Sequence, residues 1–320
     1  MSAQPSARPF ELPTELEIDA PIARRIIVEF VRAQLGQAGF ERVVVGLSGG
    51  IDSSLVCHLV ADAIGAERLL AVLMPYRSSA PESRADAETV VAGLGCASEL
   101  VDISPMVDGY FGRPEAGIAG SVPPDQPSEP VDPTAVDPSA RGEAAERTIN
   151  LRRGNFMARI RMAVLYDRSV SWRGLVAGTG NKTETLIGYT TIYGDNASAF
   201  NPIGDLYKSQ VRQLALEMGV PDRVIAKAPS ADLWPGQTDE SEVGLSYAEL
   251  DRLLYWMVDR RRSDEDLVAL GFAPAIVERV GRMVAGSEFK RQVPPIAKIG
   301  PRTAGIDYLY PRRRPGSARS

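Results

Sequence analysis

The most constraining stretch of this chain is a β-branched run that ends in a glycine-rich turn and leads directly into a helix. Residues 42–60 read RVVVGLSGGIDSSLVCHLV. The RVVVGL segment is short and apolar on both faces, as a buried parallel strand requires. The glycines supply a tight turn, and a helix from about Asp52 to Ile64 follows. Parallel strands need a crossover, so such a unit commits the chain to a helix-covered sheet. The pattern then repeats. LLAVLMPY (69–76) is the second strand, SRADAETVVAGLG (83–95) the next helix and ASELVDI (97–103) the third strand. RGLVAGTGN (173–181) is a fourth strand with its turn, and SAFNPIGDL (198–206) contains a short fifth. The predicted fold class is α/β: a doubly wound, mostly parallel five-stranded sheet flanked by helices, with a small C-terminal helical appendage.

Other segments organise around this unit. Residues 1–20 form an N-terminal arm, 21–244 the main domain, and 245–320 the helical appendage with a basic tail, YPRRRPGSARS. Residues 21–39 carry apolar side chains at helical spacing (Ile22, Ile26, Val28 or Phe30, Leu35), and Gly39 ends that helix. An insertion spans 113–147. Its 113–139 part holds seven prolines and no aromatic residue, too little apolar area to offset ordering entropy. It reads as a mobile surface segment, with a lid over substrate as the alternative. An amphipathic helix carrying Arg159 and Arg161 covers 150–169, and another covers 205–219, capped by Asp205 and stopped by Gly219.

Composition excludes several classes. The net charge is −5, which disfavours a sequence-independent nucleic-acid binder. Two cysteines, Cys57 and Cys96, give no C-x-x-C pair, and one histidine, His58, allows no multi-histidine metal site. His58 reads as a packed or solvated structural residue. No apolar run reaches ~18 residues, and the N-terminus lacks a signal-peptide core, so a cytoplasmic enzyme without membrane or nucleic-acid partners is expected.

The loop itself suits an anion. In open α/β sheets ligands bind beyond the carboxyl ends of the strands, where LSGGIDSS sits. Gly49 and Gly50 let backbone approach closely, and the helix N-terminus points N–H groups at a phosphate. Ser48, Ser53 and Ser54 add hydroxyls. Asp52 repels a polyphosphate unless a cation intervenes, which points to Mg²⁺. The plainer alternative is that Asp52 or Ser48 merely caps the helix.

SGGIDSS after a first strand resembles the signature of the PP-loop ATP pyrophosphatases, which hold the β,γ-pyrophosphate leaving group and need no Walker lysine. RGNFMARIRM (153–162), GTGNKTE (178–184), YGDNASAFNPIGDLYKSQ (193–210), PSADLWPGQTDE (229–240) and SEFKRQ (287–292) follow in order and together resemble NAD⁺ synthetase. The resemblance implies adenylation of the nicotinate carboxylate of deamido-NAD⁺ by ATP with Mg²⁺, then displacement of AMP by ammonia. It also implies a homodimer. ATP contacts would come from Gly46, Leu47, Ser48, Gly49, Gly50, Ile51, Asp52 and Ser53, with Thr179, Lys208 and Ser230. Asp52 and Glu184 would hold the metal, and Arg159, Asp195 and Lys290 the dinucleotide.

Each assignment has a plainer reading. Asn181 and Glu184 have capping-box spacing. Arg159 can belong to a solvated helix face. Lys208 lies in a helix's first turn, where a cation opposes the dipole, and local stability does not explain it. Ser230 stands for the family's usual threonine, and Phe289 replaces a histidine. Ile192 and Ala199 occupy places where short bacterial members have a lysine and an aspartate for substrate. No catalytic base is identified, although Asp195 could take ammonia's proton. Only about 40 residues precede the first strand, fewer than an amidase domain needs, so ammonia is expected from solution or from a separate supplying protein. The alternatives are another PP-loop pyrophosphatase, GMP synthetase-like or tRNA-modifying, or a nucleotide-binding protein that has lost catalysis.

Overall fold

The computed structural model describes residue 10 and residues 12–112, 138–228 and 244–304, with backbone alone for 138–147. Four parallel strands form the sheet: β1 (Arg42–Gly46), β2 (Leu69–Leu73), β3 (Ala97–Leu100) and β4 (Gly174–Ala177), in the order β3-β2-β1-β4. Val43, Val44 and Val45 of β1 are fully buried, each contributing roughly 2 kcal/mol of apolar burial. The chain leaves β1 toward β2 and β3 on one side, then returns to pair β4 with its other edge. The reversal of strand order therefore lies between β1 and β4, where doubly wound folds open their ligand crevice.

Helices precede, connect and follow the strands. They are α1 (Ala20–Ala38), α2 (Ile51–Ile64), α3 (Pro81–Leu94), α4 (Ser104–Phe111), α5 (Pro138–Trp172), α6 (Lys182–Ile187), α7 (Lys208–Glu217) and α8 (Asp222–Ala226). Helix α1 buries Ile27, Val28, Val31 and Leu35, while Ile22 and Ile26 are exposed. It carries two apolar rows, and the one reaching Leu35 faces the sheet. One cluster joins α1, α2 and α7 to β1 and β2, and a second on the opposite face joins Val44, Val72, Met74 and Met157.

The structure corrects several sequence-based boundaries. The fifth strand is a single parallel bridge, Ala177 to Phe200. Asn201 and Pro202 follow, proline has no N–H for a ladder, and the Asn201 side chain turns the chain by accepting from the Ile203 N–H at 3.2 Å. Helix α5 begins at Pro138, so 138–147 of the expected insertion are helical, and 113–137 lie outside the described residues. Helix α7 begins at Lys208 behind Tyr207, and Asp205 does not cap it. The Asp205 carboxylate meets Lys182 at 3.2 Å instead.

The C-terminal helices α9 (Tyr247–Leu254), α10 (Asp264–Ala269) and α11 (Pro274–Gly286) share a buried cluster with Leu16, Ile187 and Tyr207. They are thus packed against α6 and the start of α7 rather than hanging from the sheet's edge. Both cysteines are free and buried. No helix among the described residues is long and apolar enough to cross a membrane.

Candidate functional site

The turn after β1 is folded on itself by its serines. The Ser48 N–H donates to Ser53 Oγ at 3.2 Å, and Ser48 Oγ accepts from the Gly50 N–H at 3.3 Å. The Ser53 and Ser54 hydroxyls both donate to the Gly50 carbonyl, at 3.1 and 2.8 Å. Gly49 has φ of 81°, and a Cβ there would collide with the Ser83 carbonyl of α3. Gly50 is the N-cap of α2, and no side chain caps it. This geometry disposes of the capping alternative: neither Asp52 nor Ser48 satisfies the first-turn amides, which stay oriented toward the crevice with the positive end of the dipole. Gly46, Leu47, Ile51 and Ser53 build the same turn, with Leu47, Ile51 and Ser53 buried beneath it.

Asp52 instead faces α6 and α7. Its Oδ1 accepts from the Asn181 side-chain amide at 3.0 Å, and its Oδ2 pairs with Lys208 Nζ. The same ammonium reaches Glu184 Oε1 at 3.4 Å. Glu184 also closes a capping box with Asn181, its Oε2 accepting from the Asn181 N–H at 3.2 Å while its own N–H donates to Asn181 Oδ1 at 2.9 Å. The capping and site readings of Glu184 thus hold together: one carboxylate oxygen caps, the other faces the cation. Lys208 is 2% exposed and lies 5.3 Å from the Tyr247 ring centroid. Desolvation roughly cancels the attraction within such an ionic cluster, so stability alone does not account for it.

The donor set fits a hard cation. Two carboxylates from α2 and α6 converge on one positive charge, for which the Lys208 ammonium stands in. Among the described residues no group of three or more histidines, cysteines or acids surrounds a common point. Two protein carboxylates with remaining positions left to phosphate and water is the usual arrangement for Mg²⁺. Thr179 is half-buried in the turn between β4 and Asn181, and Ser230 lies outside the described residues.

The three expected dinucleotide contacts gather around a second feature, the turn at 188–197. Lys290 Nζ donates to the Gly188 and Thr190 carbonyls, both at 2.7 Å. Burial pulls its pKa below the usual lysine value, against the attraction of Asp195. Asp195 Oδ1 accepts from the Thr191 N–H at 2.5 Å. The residue's surface reaches solvent, yet the protein around its carboxyl pushes the pKa up. Arg159 Nε donates to the Ile192 carbonyl at 3.3 Å. Here Arg159 and Lys290 hold the turn's backbone. The Ala199 N–H is committed to Val176 O at 2.9 Å.

Sequence reasoning gave Asn181 only a capping role. Its amide also joins the turn after β4 to the carboxylate after β1, and its place at the end of a strand beside β1 is the signal that could have found it.

The chain matches the NAD synthase family over residues 23–118 and 128–294. It is 48% identical over 300 residues to an NH₃-dependent NAD⁺ synthetase of Trichlorobacter lovleyi, covering 93% of this chain and 98% of the relative. Among solved structures it is similar to the NMN synthetase of Francisella tularensis (TM-score 0.69, 26% identity, 88% of this chain and 100% of that one). It is similar also to the NH₃-dependent NAD synthetase of Campylobacter jejuni in complex with nitrate (TM-score 0.67, 29% identity, 88% and 100%). With its glycine turn and its paired carboxylates at the two sides of the strand-order reversal, the chain belongs to the NAD synthase family.

Proposed function

We propose that this protein makes NAD⁺ from deamido-NAD⁺ and ammonia, splitting ATP to AMP and pyrophosphate through an adenylated nicotinate. The observation that carries the reading is the convergence of Asp52, Glu184 and Lys208 beside the uncapped start of α2. A triphosphate laid over that turn meets the α2 amides and the exposed Ser48 hydroxyl along its β,γ end, with Ser53 bracing the turn from beneath. Thr179 and, outside the described residues, Ser230 complete the ATP contacts. Lys208 serves as a fixed cation for the phosphates once it leaves the carboxylates. Asp52 and Glu184 hold Mg²⁺, which when bound neutralises negative charge on the triphosphate. Arg159, Asp195 and Lys290 shape the wall that receives the dinucleotide. The protein's task is to place the nicotinate carboxylate against the α-phosphorus and to exclude water from the acyl adenylate. Ammonia then attacks the carboxyl carbon and AMP leaves.

A homodimer belongs to the same reading. Met106 and Tyr110 of α4 and Leu151 and Val170 of α5 are exposed apolar residues on two helices that pack together, surface that a second copy would cover.

The full chain with ATP, Mg²⁺ and deamido-NAD⁺ should form NAD⁺ from ammonium salts, faster as pH rises toward the ammonium pKa, and essentially none from glutamine. Nicotinate mononucleotide, prompted by the Francisella relative, tests the acceptor. Preference for it would move the reading to NMN synthesis, and XMP or RNA as acceptor would move it to another pyrophosphatase.

A further inference from the structure

Behind the ionic cluster lies a carboxylate that the proposed chemistry does not use. Asp251 of α9 is fully buried. Its Oδ1 accepts from the Thr183 hydroxyl at 2.5 Å, and its Oδ2 accepts from both the N–H and the hydroxyl of Ser209 at 2.7 Å. Thr183 Oγ1 in turn accepts from the Lys208 N–H at 3.0 Å. Thr183 immediately precedes Glu184 in the first turn of α6, and Ser209 immediately follows Lys208 in the first turn of α7. One side chain therefore ties together two helix starts, each next to a residue of the cluster. Four residues before Asp251, the Tyr247 ring lies against the Lys208 ammonium. A lone core carboxylate needs a compensating set of donors. Here all three donors come from those two helix starts.

We infer that Asp251 is a positioning residue for the ATP and metal site, fixing the Glu184–Lys208 geometry through Thr183 and Ser209. The inference rests on the ATP-site reading above, but not on which acceptor is amidated. Through this link the C-terminal helices help to set the geometry of the ionic cluster, which α9 also touches through Tyr247. Any loosening of α9 would relax the distance between the carboxylate and the ammonium that must part when nucleotide enters.

The test uses the full chain and a non-hydrolysable α,β-methylene ATP with Mg²⁺, titrated calorimetrically at a temperature where each variant is folded. Asp251→Asn should weaken binding about tenfold and raise KM for ATP similarly, the usual scale for outer-shell positioning groups, with KM for the acceptor unchanged. Thr183→Val should do the same, Thr183→Ser should restore the wild-type value, and the double Asp251→Asn, Thr183→Val variant should lose no more than either single one. Wild-type nucleotide affinity in the folded Asp251→Asn protein, or equal shifts in acceptor and ATP KM, would overturn the inference. Should Asp251→Asn not fold, the Thr183 pair decides by the same criterion. A wild-type chain that binds the analogue but makes no NAD⁺ would sink the proposed reaction and leave this test intact. One that binds no analogue would sink both.

Discussion

The Asn181 side-chain amide donates to Asp52 Oδ1 across 3.0 Å, joining the helix after the fourth strand to the helix after the first. The two halves of the crevice are therefore in register before any nucleotide arrives, and substitutions here separate site geometry from folding.

Asp52→Asn keeps the side chain's shape but gives up a cation ligand. ATP–pyrophosphate exchange should fall by at least about a hundredfold. Circular dichroism and chain dimensions should not change. Turnover near wild type would remove Asp52 from the metal site.

Lys208→Met removes the ammonium that Asp52 and Glu184 share. Activity should fall by about a hundredfold or more, because a preorganised charge toward the phosphates is lost. The two carboxylates then repel each other, so Mg²⁺ alone should raise the melting temperature of the variant more than that of the wild type. Equal Mg²⁺ shifts would argue that the carboxylates do not form a common cation site.

Gly49→Ala should cost more than about 1 kcal/mol, since alanine is strained at a φ of 81° and its Cβ has no room beside Ser83. Chemical denaturation measures the stability loss, and nucleotide affinity should fall with it. An alanine variant of undiminished stability and affinity would show that the turn can relax.

His58, the chain's one histidine, gives an unambiguous proton titration. Burial pulls its pKa below the ordinary histidine value of about 6.5, opposed by the Ser54 carbonyl, which lies 2.8 Å from Nδ1. Below 6.5 the unfolded chain binds a proton that the folded chain resists. The contribution of His58 is thus present above that pH and is lost as pH falls through the folded pKa. NMR should place the midpoint below 6.5, and His58→Gln should flatten the acid limb of stability measured in urea. A midpoint at or above 6.5 would contradict the packing of His58.

The sheet was legible where burial is two-sided. Val43 to Val45 and LLAVL have no alternative to a parallel core strand, so β1 and β2 begin where the pattern says. The Asn181–Glu184 box was legible because capping is local. The fifth strand was misread because Phe200 and Ile203 are both buried, as strand residues would be, yet only Phe200 bridges to β4 before Pro202 ends the pairing. Helix α1 was read correctly at Val28 and Leu35 but not at Ile22 and Ile26, because two rows satisfy similar spacing and only the sheet chooses between them. Asp251 was invisible: it lies 68 residues from Thr183, and no local pattern marks a carboxylate that serves two distant helix starts.

The single Ala177–Phe200 bridge has a consequence for how the molecule opens. β1 is flanked by strands on both sides, whereas beyond β4 the backbone is held by the Gly178 N–H on Phe200 O at 2.8 Å and the Ala199 N–H on Val176 O at 2.9 Å. Amide exchange at Gly178 and Ala199 should therefore proceed by a small local excursion, while Val44 and Val45 exchange only through global unfolding. The side of the crevice that carries Thr179 and Asn181 should therefore exchange sooner than the side built on β1.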